Sequence, residues 1–131
     1  MPRKIIILEN IRSAYNVGNV IRTADALGRE VRITGYTPSP LDHPKAKKTS
    51  LAAEDSVALK QFDYTSDAIA YAKEQKIWVI AAEITPDAID LQSFSENNRA
   101  DIAIVFGNEV EGVLPETLKA VDQVIFIPMH W

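Results

Sequence analysis

Residues 102–112 read IAIVFGNEVEG, five apolar residues running without a break into glycine, asparagine and glutamate. An apolar run this short, bounded by turn residues, is the pattern of a strand covered on both faces, and such strands belong to parallel sheets. In open α/β sheets ligands lie beyond the carboxyl ends of the strands, and Gly107 and Gly112 would let the main chain come close to a bound group. An ordinary glycine turn after a strand produces the same letters. Near the end of the chain, residues 124–129 (VIFIPM) echo the apolar half of the pattern.

The remaining segments alternate in the same way. Residues 4–8 read as a first buried strand, and Asn16 stands where a helix cap is expected. Val17, Val20, Ile21, Ala24 and Leu27 follow at helical spacing, with Gly28 as the stop. Asn19 and Arg22 share the polar side of this helix, and Asn16 and Gly18 lie at its positive end, where anions are favoured. Neither a GxGxxG run nor a phosphate-loop lysine accompanies it. Residues 31–35 read as a strand, 36–44 as a proline-containing loop, 45–50 as a basic connection, 51–54 as a short helix and 57–62 as a strand. Thr65 or Ser66 is expected to cap a helix through Gln75 that buries Ile69 and Ala72, before a strand over 77–82. Residues 84–101 read as a polar surface connection. After strand 102–106 and the glycine loop comes a short helix with Pro115 in its first turn, then a last strand over 124–127. This alternation predicts an α/β fold, a largely parallel sheet flanked by helices, in a single domain over residues 1–131.

Charge is divided unevenly. Residues 1–50 hold nine Lys/Arg against four Asp/Glu, a net +5 that leaves −9 for the remainder and −4 for the chain. A basic face for a phosphate backbone on an acidic body is one reading of that split, and a solvated surface is the other. The absence of cysteine excludes disulfides and thiolate metal sites, and two histidines do not make a histidine-rich metal site. No apolar run reaches the roughly 18 residues that span a bilayer, and the apolar stretch after Lys4 is too short for a signal peptide, so the expectation is a cytoplasmic protein with no membrane partner.

Three separated blocks carry a resemblance. NIRSAYNVGNVIRTADALG (10–28) resembles motif 1 of the TrmH (SpoU) branch of the SPOUT superfamily of RNA methyltransferases, VFGNEVEG (105–112) its motif 2, and DQVIFIPM (122–129) the opening of its motif 3. KTSLAAE (48–54) is similar to the segment that links the first two. The resemblance runs through the chain in the family's order. It implies a SPOUT-like, Rossmann-like fold and transfer of a methyl group from S-adenosylmethionine to a ribose 2′-hydroxyl of RNA, with tRNA ahead of rRNA and a homodimer as the family's assembly.

Carried over by position, the resemblance makes Arg22, Asn16 and Glu109 the catalytic set. It gives the cofactor to Phe106, Gly107, Asn108, Gly112, Ile127 and Met129, and RNA phosphates to Arg12, Lys47 and Lys48. Each has a plainer counterpart: a surface arginine paired with Asp25 or Asp42, a loop carboxylate capping nearby N–H groups, a charged loop. The family continues past Ile-Pro-Met through a glycine-containing loop and a Ser-Leu-Asn stretch into a helix that ties a trefoil knot, whereas this sequence ends Met129-His130-Trp131. The expectation is a domain without the knot helix and, by itself, a poor methyltransferase. A non-catalytic RNA-binding or self-associating module on the same scaffold is the alternative, and a generic nucleotide-binding α/β domain is the third reading.

Overall fold

The structure, a computed structural model, describes residues 3–51, 58–84 and 101–127. Strands β1 (Lys4–Glu9), β2 (Glu30–Thr34), β3 (Ala58–Phe62), β4 (Trp78–Ile84), β5 (Ile102–Phe106) and β6 (Gln123–Ile127) form one sheet. Its order is β3-β2-β1-β5-β4-β6, and every neighbouring pair is parallel. The helices among the described residues are α1 (Ala14–Ala26), α2 (Pro44–Ser50), α3 (Thr65–Glu74) and α4 (Pro115–Ala120).

Successive side chains of a strand point to opposite faces, so the unbroken apolar run of β1 feeds two cores. Ile5 and Ile7 join Val79, Ala81, Ala103 and Val105 beneath Ala68, Ile69 and Ala72 of α3. Leu8 joins Val31 and Ile33 on the other face, beneath Val17, Ile21 and Ala24 of α1. Burial on both faces is why β5 is apolar throughout and β1 is apolar between Lys4 and Glu9, while β3, ALKQF at the sheet edge, is mostly exposed. From β1 the chain crosses to β2 on one side, and from β5 it goes on to β6 on the other. The carboxyl ends of β1 and β5 therefore meet where the direction of winding reverses, the place at which such sheets open a crevice. No helix among the described residues is long and apolar enough to cross a membrane.

Several local expectations are corrected. Helix α1 begins three residues early: Ser13 is its N-cap, accepting the Asn16 N–H at 3.1 Å, so Asn16 lies in the first turn instead of capping it. Serine and asparagine cap equally well, and the earlier start buries Ala14 in addition to Val17. Leu27, counted among the apolar stripe, is 63% exposed because the helix ends before it. The basic segment expected as a connection is itself helix α2, with Pro44 in its first turn and Leu51 ending it in the left-handed region; residues 52–54 lie outside the described residues.

Helix α2 packs on α1 at Gly18, where a Cβ would come within 2.5 Å of Thr49 Cβ and 2.7 Å of Ala46 O. Gly18 thus serves a helix contact and not an anion. Neither Thr65 nor Ser66 caps α3; Tyr64 holds that position without a side-chain bond, and the Thr65 hydroxyl lies 2.7 Å from that of Thr34. Of the expected surface connection, residues 85–100 lie outside the described residues. Strand β5, the proline-started helix (here α4) and the last strand stand where expected.

Candidate active site

Two loops leave the meeting point of β1 and β5, residues 10–13 and 107–114. The second closes on itself: Asn108 N–H donates to Gly112 O at 3.1 Å, and Gly112 N–H donates back to Asn108 O at 2.9 Å. A Cβ at Gly107 would overlap the Gly112 and Val113 backbone, so the loop closes only with glycine here. Asn108, 6% exposed, accepts the Val110 and Glu111 N–H groups on Oδ1, both at 2.8 Å. Its Nδ2 donates to Asn10 O at 3.0 Å and to the Tyr36 hydroxyl at 2.7 Å.

Carboxylates hold the rest of the loop. Glu83 Oε1 accepts Val113 N–H at 2.9 Å, and Glu9 Oε1 accepts Leu114 N–H at 2.9 Å. Buried Glu9 also accepts the Thr117 hydroxyl, which fixes α4, a helix with no side-chain cap of its own. The backbone N–H groups of 108 and of 110–114 are therefore engaged inside the protein. A phosphate cradle needs such groups free. With those N–H groups taken, the loop lacks the donor cradle that the generic nucleotide-binding reading requires.

Glu109 reaches across to the first loop. Its Oε1 accepts the Arg12 N–H and its Oε2 the Ser13 N–H, each at 3.0 Å, at the start of α1. The anion favoured at that helix end is thus the protein's own carboxylate. Burial pushes the Glu109 carboxyl up. Hydrogen bonds from the backbone of Arg12, Glu109 and Ser13 and from the Asn16 side chain outweigh burial and leave it below the ordinary carboxylate value.

Asn16, Phe106 and Glu109 line one open groove of about 510 Å³ whose floor is Ile6, Leu8, Ile11, Val17 and Val20. Gly107, Asn108 and Gly112 form the adjoining loop, and Arg12 presents an exposed side chain beside it. Arg22 does not line this groove; it is exposed on α1, about 9 Å further along the axis than Asn16. The ion pairs among the described residues join Arg3 and Arg32 to Glu30 and Lys73 to Asp122, so Arg22 is in none of them. Lys47 and Lys48 are exposed in the last turn of α2. Ile127 pairs with Ile84 at the carboxyl end of β6, and Met129 lies outside the described residues.

Reading the sequence misses three residues that build this end of the sheet: Glu9, Glu83 and Tyr36. The first two carry a faint signal, an acid closing an otherwise apolar strand in KIIILE and WVIAAEI. Tyr36 carries none.

Residues 3–131 match the sequence profile of the SpoU rRNA Methylase family. The chain belongs to that family. Among its relatives, the tRNA (guanosine(18)-2'-O)-methyltransferase of Escherichia coli K12 is 29% identical over 130 residues, covering 98% of this chain and 54% of the relative. The 23S rRNA (guanosine-2'-O-)-methyltransferase RlmB of Escherichia coli K12 is 28% identical over 125 residues, covering 95% of this chain and 50% of the relative. The chain thus spans about half the length of these SpoU relatives. A structure described as giving insights into 2-OH methylation of C/U34 on tRNA superposes with a TM-score of 0.80 at 26% identity, covering 99% of this chain and 82% of that one. The AdoMet-bound rRNA methyltransferase from Sinorhizobium meliloti, 21% identical, shares the SpoU fold with a TM-score of 0.84 over 98% of this chain and 48% of its own.

Proposed function

We propose that the protein transfers a methyl group from S-adenosylmethionine to a ribose 2′-hydroxyl of RNA. One observation carries the reading. The Glu109 carboxylate, held by the Arg12 and Ser13 N–H groups, fastens the 107–114 loop to the start of α1, so two of the three sequence blocks meet at one mouth. S-adenosylmethionine when bound supplies an electrophilic methyl group. The residues present fit such a ligand: the Glu109 carboxylate in the groove lining suits donor amino groups and positive charge, and Phe106 with the aliphatic side chains around it suits an uncharged ring. Phe106, Gly107, Asn108, Gly112 and the Ile127 backbone would hold it.

Asn16, at the groove beside Glu109, orients the ribose, and Glu109 keeps the start of α1 and the loop in one arrangement. The Arg22 guanidinium anchors a phosphate, and that phosphate takes the proton as the 2′-hydroxyl oxygen attacks the methyl carbon and the sulfonium C–S bond breaks. Arg12, Lys47 and Lys48 take neighbouring phosphates, in the half of the chain with net +5. The tRNA-related structure matched over most of its length favours tRNA over rRNA.

The test is transfer of labelled methyl to tRNA and rRNA transcripts, followed by digestion to nucleosides. Transfer is expected to be confined to 2′-O-methylnucleosides and lowered about 100-fold in Arg22→Ala. Methylated bases, or a folded chain that binds the cofactor and modifies no RNA, would refute the reading.

A further inference from the structure

We propose that Tyr36 is a stacking platform for an unpaired base of the bound RNA, an inference that rests on the RNA reading above. Tyr36 is 57% exposed, yet it is fastened at both ends. The hydroxyl accepts from Asn108 Nδ2 at 2.7 Å, and the backbone N–H donates to Asn10 Oδ1 at 3.2 Å. The next residue ties the turn down: the Thr37 hydroxyl donates toward Leu8 O and Thr34 O, at 3.1 and 2.8 Å, and accepts the Ile11 N–H at 3.0 Å.

The backbone bends to permit this. Asn10 and Gly35 both lie in the left-handed region, with φ of 53° and 64°, and a Cβ on Gly35 would overlap the Asn10 amide. A left-handed asparagine is unfavourable unless its surroundings require it. Here it delivers a tyrosine whose ring gains little burial, so core packing does not account for the arrangement.

An aromatic face held in one orientation and left in water loses little freedom when a base lies on it. Bases stack on such faces in single-stranded RNA and in loops, whereas a duplex keeps its base faces covered. The surroundings suit the same ligand. Asn108, which holds the hydroxyl, precedes Glu109, which holds the backbone of Arg12, so an exposed guanidinium for a phosphate stands by the site. The platform is thus attached to the loop that forms the cofactor site, and a base seated on it sets where the neighbouring ribose falls.

The test compares wild type, Tyr36→Phe and Tyr36→Ala in binding a short single-stranded RNA carrying 2-aminopurine and its blunt duplex, with S-adenosylmethionine titrated into each protein. Tyr36→Ala is expected to weaken single-strand binding roughly tenfold and to lose most of the 2-aminopurine quenching. Tyr36→Phe, which keeps the ring, should stay within about threefold of wild type, and duplex and cofactor affinities should not move. Equal binding of the single strand by wild type and Tyr36→Ala overturns the platform alone. So does a loss shared by the duplex or the cofactor, which marks a structural role. A wild-type chain that binds S-adenosylmethionine but no RNA overturns the platform together with the RNA reading.

Discussion

Glu109 is an exposed carboxylate whose proton affinity is lowered by the N–H groups it accepts, although partial burial opposes the shift. Because its folded-state value lies below the ordinary 4.5, its stabilisation is fully present above that pH and is lost as pH falls through the depressed value. Glu109→Ala is expected to cost about 1 kcal/mol at neutral pH, as for loss of a helix cap, and the difference from wild type in urea unfolding should shrink toward zero in acid. A difference that persists unchanged into acid would mean that the carboxylate is not what holds the two loops. Residue identities at this site were legible in part. Asn16, Asn108 and Glu109 could be marked from their motif, but Ser13 displaced Asn16 as the cap, which spacing alone does not decide. Glu9 and Glu83 act on N–H groups 105 and 30 positions away, and no local pattern encodes such partners.

Among elements, α1 and α2 show how two rules of opposite sign are resolved. In an isolated helix, alanine at position 18 would be better than glycine by roughly 1 kcal/mol. In the protein the added methyl group would press on backbone, the Ala46 carbonyl and the Ser50 nitrogen at 2.7 and 2.9 Å, which cannot move as a flexible side chain can. Gly18→Ala is therefore expected to destabilise the fold by about 1–3 kcal/mol in urea unfolding, as overpacking does. Unchanged or raised stability would contradict the close approach of the two helices. Strands were the legible elements, because burial on both faces leaves continuous apolar runs. Helix α2 was not: PKAKKTS has a proline start, three lysines and no apolar stripe, and it is helical because Ala46 and Thr49 pack against α1 at Gly18.

For the whole molecule, alternation of strands and helices was enough to expect a largely parallel sheet, but not its order. Placing β5 between β1 and β4 sets the motif-bearing loops side by side and brings carboxylates from β1, β4 and the loop itself onto one eight-residue turn at 107–114. The charge split read from the sequence follows the same geometry. Loop 10–13, the Tyr36 turn and the start of α1, which meet at the mouth, all lie in the basic first fifty residues. The central claim is that this end of the sheet, with the apolar groove lined by Phe106 and Glu109, is where the methyl donor binds. Titration of S-adenosylmethionine into the isotopically labelled chain, followed by amide NMR, tests it most directly. The account predicts saturable shifts that are largest over 106–112 and at Ile127, and much reduced in Asn108→Ala, which releases the Val110 and Glu111 N–H groups. A folded chain with no shifts, or shifts gathered along β3 and α2, would contradict it.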